Sequence, residues 1–579
     1  MSHMNFSGAN CKNCYKCVRT CEVKAISVNN AQAQIMNERC ILCGHCLEVC
    51  PQNAKSFISD LNKVKGFLKE KKKTIVSIAP SYLGVLDYKT PGQVVGALIK
   101  LGFNQVRETA EGAVYVTNEY NRLLKEGKMK NIITTSCPSV NDLIEKYYPE
   151  LTKYMAPVVS PMIAHGKMIK KMFGEDVKVV FLGPCIAKKR EAMGDIRTEG
   201  YIDAVINFTE LKEWLEEENI NLLECEDITP HNPNPCVNRL YPISSGILSS
   251  VVTTGRDDKD SYRKFYVHGI KNCIELFEGM EKEEMEHCFI EANICNGGCI
   301  RGSALENKSV SRFKIKLDLE DMIERNIPDT KEYPKDMEGL FLKKDFFDRS
   351  QKDKLPTEEE LKNILNRIGK FSKEDELNCG ACGYSTCREK AIAVYQKKAE
   401  LNMCIPFLHE KAQSLSNLVL ESTPNIIMIV DSDMKIIEFN GAAEKMFKTS
   451  RAKALNMYLY EFIDPSDFQW VYDSHQNIHG KKVSYSEYHI STLQNIVYIE
   501  KEDAVLATFI DMTKQEEQMQ QEYEKKLDTI DLAQKVIHKQ MMVAQEIAGL
   551  LGETTAETKT TLTKLCRTLL DEGSESEVR

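Results

Sequence analysis

Residues 291–299 read Glu291-Ala292-Asn293-Ile294-Cys295-Asn296-Gly297-Gly298-Cys299. Two thiols separated by Asn296 and two glycines face one region of space, and a backbone bare of side chains at two successive positions lies close to whatever the thiols hold. Two more cysteines occupy comparable loops, Cys137 in Thr134-Thr135-Ser136-Cys137-Pro138 and Cys185 in Gly183-Pro184-Cys185-Ile186-Ala187-Lys188-Lys189. These loops follow the apolar runs NIITT and VVFLG, which read as strands, and α/β folds collect their ligands at strand ends. Four soft thiolate donors on three separated loops point to a large iron-sulfur group.

Outward from these loops, residues 73–350 alternate apolar strands such as KVVFLGP and YIDAVINF with amphipathic helices such as SVNDLIEKYYPELTKYM. That alternation predicts an α/β domain on a largely parallel sheet. A chain of 579 residues is too long for one core, so several domains are expected. Its 42% hydrophobic and 28% charged residues are those of an ordinary globular protein, whereas 21 cysteines are not. No secretory signal opens the sequence, and the longest apolar runs, such as NIIMIV at 425–430, fall far short of the ~18 residues that span a bilayer. The reading is a cytoplasmic protein with no membrane partner, whose cysteines serve metals or redox chemistry in place of disulfides. A net charge of -9 argues against nucleic acid as a partner, because phosphates select clustered Lys and Arg.

Cysteine density divides the remainder. Residues 1–56 carry Cys11, Cys14, Cys17 and Cys21, then Cys40, Cys43, Cys46, Cys50 and Pro51, two copies of the C-x2-C-x2-C-x3-C run of bacterial two-cluster ferredoxins. The resemblance implies two 4Fe-4S clusters with crossed ligation, one on Cys11, Cys14, Cys17 and Cys50, the other on Cys40, Cys43, Cys46 and Cys21. Paired zinc sites are the alternative, which the duplicated spacing and trailing proline disfavour. A charged helical connector, LNKVKGFLKEKKK, leads into the α/β domain, and a polar linker, DRSQKDKLPTEEE, leaves it. Residues 355–412 hold Cys379, Cys382, Cys387 and Cys404 on a helical background, with Gly380 and Gly383 permitting a tight turn. Ligand type leaves zinc and iron-sulfur both open there. Resemblance to a small domain of electron-transfer complexes favours a further 4Fe-4S cluster.

The three central loops together resemble the three signatures of iron-only (FeFe) hydrogenases. The resemblance implies an H-cluster, in which Cys137, Cys185, Cys295 and Cys299 hold a 4Fe-4S cluster and Cys299 bridges it to a diiron subsite with carbonyl, cyanide and dithiolate ligands. It assigns Lys188 to a cyanide contact, Ala79, Pro80 and Ser81 to the loop beside the dithiolate, and Glu191 to the acid three residues after the lysine. The implied substrates are H2 and protons, with a redox partner such as ferredoxin. Several positions depart from the family. Ser136 stands where a thiol relays protons, and a hydroxyl, a far weaker acid than a thiol of pKa ~8.5, has to act through hydrogen bonds. Gly183 and Asn293 replace two methionines, which predicts a roomier and more polar pocket. The two glutamates that extend the family's proton path align with Tyr120 and Leu123, while Glu111 and Glu119 lie nearby in sequence. Slow turnover is expected, with cluster ligation untouched.

Residues 413–515 contain no cysteine. Two apolar strands around Asp431-Ser432-Asp433, a helix after Asn440 and a strand ending at Asp511-Met512-Thr513 resemble an α+β PAS sensory domain of unknown ligand. His475 and His479 read as surface histidines in preference to haem ligands. In residues 516–579, Met519, Tyr523, Leu527, Ile530, Ile537, Met541, Ala544, Ala548 and Leu551 recur at three-to-four spacing or its multiples, as in a helix or coiled coil. This tail resembles those of regulatory hydrogenases with a PAS module, and a homodimer and a downstream signalling protein are the partners expected. Cys225, Cys236, Cys273, Cys288 and Cys566 read as buried or incidental thiols, since Cys225, His231 and Cys236 lack a fourth ligand at a motif spacing. The expected whole is a sensory hydrogenase that oxidises H2 slowly and reversibly. A metabolic ferredoxin-linked hydrogenase and a redox sensor carrying only cubanes are its rivals.

Overall fold

The computed structural model describes residues 4–232, 235–251, 262–305, 310–325, 340–548 and 559–565. The chain divides into two compact units, Met1–Leu408 and His409–Arg579. In the first, strands Thr74–Ile78, Gln105–Glu108, Lys178–Leu182 and Ala204–Ile206 form a parallel sheet in which Thr74–Ile78 lies between Gln105–Glu108 and Lys178–Leu182. Val76, Val106, Val179 and Val180 are fully buried, as β-branched residues are where helices cover both faces of a parallel sheet. A separate parallel sheet joins Arg263–His268, Cys288–Asn293 and Ile132–Ile133. The single sheet expected from the alternating pattern is therefore two, because Ile132–Ile133 pairs with Cys288–Asn293 and not with Thr74–Ile78.

Strand direction places the loops. Ala79-Pro80-Ser81 follows Thr74–Ile78, the Cys137 loop follows Ile132–Ile133, the Cys185 loop follows Lys178–Leu182, and the Cys295 loop follows Cys288–Asn293. All four leave the carboxyl ends of parallel strands, where such sheets put their ligands. Pro138 opens the helix Pro138–Tyr147, a position at which the amide proton it lacks has no partner in any case. That helix stops before Pro149, which cannot continue it, and Pro149–Tyr154 is a 3-10 turn, so SVNDLIEKYYPELTKYM is not one helix.

The amino-terminal lobe pairs Met4–Phe6 with Lys55–Phe57 and Ile26–Asn29 with Gln32–Ile35, both antiparallel. Helices Glu358–Arg367 and Cys387–Tyr395 pack through Leu361, Leu365, Ile368 and Ala391 into a further lobe. The two lobes dock closely: a Cβ on Gly383 would stand 2.7 Å from Val18 Cγ1, and Arg19 and Lys24 donate to the carbonyls of Ala381 and Gly383 at 2.9 and 2.8 Å.

The second unit is a five-stranded antiparallel sheet, in spatial order Ile436–Phe439, Ile426–Val430, Ala504–Asp511, Ile490–Ile499 and Ile478–Tyr485. Its core is filled by the rings of Phe439, Phe447, Phe462 and Tyr488, with neighbouring centroids 5.1 to 5.8 Å apart. Asn440 caps the helix Gly441–Phe447 by accepting from the Ala443 amide at 3.1 Å. His475 and His479 are exposed, and His475 stacks on Tyr498 at 4.1 Å. The helix Thr513–Ala548 follows, while Leu551 and Cys566 lie outside the described residues. Among the described residues no helix is long and apolar enough to cross a membrane.

Candidate active site

One cavity is lined by Ser136, Cys137, Cys185, Lys188, Asn293, Cys295 and Cys299, together with Leu42 and Cys43 of the amino-terminal lobe. All four cysteines of the three loops meet there. Gly44 lets the amino-terminal lobe approach: it adopts φ +81°, and a Cβ would fall 2.2 Å from Ser303 Cβ. Gly298, at φ +89°, serves a neighbouring backbone, since its Cβ would stand 2.4 Å from the Pro242 carbonyl oxygen. Burial pushes the thiols of Cys185 and Cys299 up to about 11 and about 12 and lifts that of Cys295 well above the usual thiol range, and neighbouring thiols add to each rise. A cationic core among them reverses that penalty by binding the thiolate form.

Among the described residues no three His, Cys, Asp or Glu are spaced to hold a single metal ion. The thiols surround a space instead. Ser81, on the loop after Thr74–Ile78, is fully buried, and its hydroxyl has no hydrogen-bond partner. A buried donor left without an acceptor is costly, so a polar group brought to that loop would satisfy it. These residues fit a multi-iron group.

Residues 72–303 match the family model of the iron only hydrogenase large subunit, C-terminal domain. This segment is similar to the large subunit of iron-only hydrogenases. Flanking the hydrogenase domain, residues 3–51 match a 4Fe-4S dicluster domain, 375–406 an Fe-S cluster family and 416–525 the PAS fold. Iron hydrogenase 1 of Clostridium pasteurianum is 24% identical over 381 residues, which cover 48% of this chain and 66% of that protein. The chain thus spans just under two thirds of that relative's length. A cytosolic Fe-S cluster assembly factor of Encephalitozoon cuniculi is 22% identical over 320 residues, 51% of this chain and 86% of that protein. A solved FeFe-hydrogenase structure concerned with stepwise H-cluster assembly is 19% identical, with a TM-score of 0.38 over 46% of this chain and 88% of its own.

Within the hydrogenase domain, Lys188 Nζ donates to the Ser136 carbonyl at 3.0 Å and to Glu191 Oε2 at 2.7 Å. Ser160 donates to the same oxygen at 2.9 Å, and Lys344 Nζ stands 4.0 Å from Glu191 Oε1. Glu191 therefore aims Lys188 at the cavity without lining it. Ser136 Oγ lies 3.2 Å from Tyr120 OH, which also accepts from the Thr135 amide at 3.1 Å. Full burial raises the Tyr120 phenol. Leu123 is buried and apolar, Glu111 is engaged by Arg107 at 3.0 and 2.6 Å and by His165 at 3.2 Å, and Glu119 pairs with Arg122 at 2.8 Å.

Gly183 does not open the pocket as expected. The Phe181 ring, two residues earlier, folds over it, and a Cβ on Gly183 would meet Phe181 Cε1 at 2.6 Å and Ala79 Cβ at 3.1 Å. Asn293 does face the cavity and donates to Glu291 Oε1 at 3.3 Å. Glu291 has no role in the sequence patterns, yet its fully buried carboxylate accepts from the amides of Ser245, Ile247 and Leu248, each at 3.0 Å. Burial outweighs those donors and pushes it up to about 7. The sequence signal for it is an acid set between the apolar residues Ile290 and Ala292 of the strand Cys288–Asn293.

In the amino-terminal lobe Cys21 stands with Cys40, Cys43 and Cys46. Burial first and these neighbours second raise Cys21 to about 11, Cys43 to about 12 and Cys46 further. Burial opposes the charge on Lys55, but the thiols of Cys17, Cys46 and Cys50 prevail and raise it. Cys379, Cys382, Cys387 and Cys404 line one cavity with Lys390, which burial pulls down to about 8 against the pull of Cys382 and Cys404. The Lys390 ammonium donates to the Glu400 carbonyl. Neither lysine carries a spacing signal. Cys17, Cys21, Cys46 and Cys382 share one apolar cluster with Val18 and Tyr384. Cys225 donates to the Asn221 carbonyl at 3.3 Å while His231 bonds Val106, so the two do not form a site, and Cys273 and Cys288 are buried thiols.

Proposed function

We propose that the chain is a sensory iron-only hydrogenase that binds H2 and oxidises it slowly and reversibly, passing redox state through 4Fe-4S clusters to its PAS domain. The convergence of Cys137, Cys185, Cys295 and Cys299 with Lys188 and Ser136 on one cavity carries this reading. An H-cluster, when bound, supplies heterolytic cleavage of H2. The chain supplies the rest. The four thiolates hold the cubane, and Cys299 also anchors the diiron subsite. Lys188, aimed by Glu191, donates to an anionic ligand of that subsite, and Ser81 contributes its unsatisfied hydroxyl from the adjoining loop. Ser136 moves protons only through its hydrogen bond with Tyr120, a slower device than an acid of matched pKa. Slow exchange suits a sensor, which needs occupancy more than flux.

Electron access runs through the amino-terminal lobe. Cys43 lines the hydrogenase cavity, so the cluster on Cys40, Cys43, Cys46 and Cys21 is the proximal one. The cluster on Cys11, Cys14, Cys17 and Cys50 and that on Cys379, Cys382, Cys387 and Cys404 follow across Val18 and Tyr384. Ferredoxin is the proposed redox partner, a signalling protein the downstream one, and the cytoplasm the compartment.

The test is infrared spectroscopy after supplying the reduced, cubane-loaded protein with a synthetic diiron precursor. Carbonyl and cyanide bands are expected. Their absence overturns the hydrogenase reading and leaves a redox sensor of cubanes alone. A metabolic hydrogenase would instead show fast turnover indifferent to removal of residues 409–579.

A further inference from the structure

The helix Thr513–Ala548 has 36 residues, a length of about 54 Å at ~1.5 Å per residue. Between residues 517 and 547 none of the described side chains is buried, although the segment is rich in large apolar residues. Tyr523 is 54% and Leu527 42% exposed. A lone helix with such a stripe gains nothing from it in water, because helical stability in proteins comes from packing an apolar face.

The stripe has a heptad register. Tyr523, Ile530, Ile537 and Ala544 take one core position, and Leu527, Gln534 and Met541 take the other. Gln534 is the single polar member. In a parallel, in-register pair the two Gln534 side chains face each other and can share a hydrogen bond. In an antiparallel pair each amide faces a residue of the other core position, all of which are apolar or tyrosine, and loses a partner of its own kind.

The flanking positions agree. In a parallel pair, Lys526 on one edge of the seam meets Asp531 on the facing edge of the second helix, twice by symmetry. Asp531 Oδ2 already meets Lys535 of its own chain at 2.7 Å, so Lys526 completes a three-charge ladder. The other facing pairs, Met519 with Glu524, Ala533 with His538 and Gln540 with Gln545, bring no like charges together.

We propose that a second copy of this chain docks along Thr513–Ala548 as a parallel two-stranded coiled coil, with Gln534 against its counterpart and Lys526 paired with Asp531 of the partner subunit. This seam stands whether or not a diiron site is installed.

The test is light scattering and sedimentation of the full chain at graded concentration. A species of twice 65.9 kDa is expected. Ile537→Glu should leave a monomer. Lys526→Glu should weaken the dimer roughly tenfold by setting two acids against each other, and adding Asp531→Lys should restore most of that loss. Both charged positions are exposed, so the fold and cluster absorbance should not change. A monomeric wild-type chain, or a dimer indifferent to Ile537→Glu, overturns the seam. A dimer that Lys526→Glu does not weaken, or that Asp531→Lys does not rescue, overturns the parallel register. A tetramer overturns the two-stranded assignment and assigns a role to the second exposed strip, Leu532, Val536 and Val543.

Discussion

The wall of the cavity built from Cys137, Cys185, Cys295 and Cys299 and the wall behind Ser136, built on the helix Ala110–Glu126, serve one site under different physical rules. On the first, each thiolate disfavours its neighbours' thiolate forms until a cationic core joins them, so the ligands act as a set. On the second, one hydroxyl donor or acceptor stands in for another, and each exchange alters a rate without dismantling the site. A sequence can therefore retain every ligand while its proton route is rebuilt.

Cys299→Ser should break the first wall with the largest effect. Carbonyl and cyanide bands should vanish after reconstitution and hydrogen turnover should fall to background, whereas iron content of the amino-terminal clusters should hold. Persistence of the bands would remove Cys299 from its anchoring role. Lys188→Met should come next, lowering diiron loading ~100-fold, the upper range for loss of a partner that orients a metal site. Retained loading would show that the ammonium contacts only Ser136 and Glu191.

These two walls were unequally legible in the sequence. Thiol spacing and the glycines beside it name a cluster site because metal geometry constrains both, and the cysteines do converge on one cavity. The apolar runs before Cys137 and Cys185 read as strands and are strands, but periodicity reports only that a strand is buried and not which strand it joins, so the second sheet was invisible. Gly183 was misread as open space because a residue-by-residue comparison ignores compensation from Phe181, two positions earlier. Lys55, Lys390 and Glu291 matter through burial beside thiols or amides brought together from distant segments, which no local pattern encodes.

Ser136→Cys sharpens the second wall. A thiol of matched acidity at the same point should raise hydrogen turnover about tenfold, less than the full worth of a general acid because Leu123 interrupts the outer part of the route. Rates are to be compared at equal diiron occupancy, measured by infrared intensity. No gain would place the limiting step beyond position 136. Tyr120→Phe, which removes the hydroxyl 3.2 Å from Ser136 while leaving the ring against Phe289, should slow the wild-type enzyme several-fold and the Ser136→Cys variant less.

Glu291→Gln should have the smallest effect and the most diagnostic pH dependence. Burial raises this carboxyl from 4.5 to about 7, so it is neutral and able to donate a proton below that pH and charged and able to accept one above it. H2 oxidation must export protons and should rise as pH passes upward through about 7, whereas H2 evolution must import them and should fall across the same window. The amide keeps the shape and can still bond part of the Ser245, Ile247 and Leu248 cradle, but it does not titrate. Both inflections should flatten in the variant, with rates changed about threefold or less at the extremes. An unchanged inflection would make Glu291 a structural cap for the short helix Gly246–Ser250 and leave Tyr120 as the end of the buried route. A flattened one would show that the wall lacking the family's thiol and glutamates has gained an acid of its own, on the strand that ends two residues before Cys295.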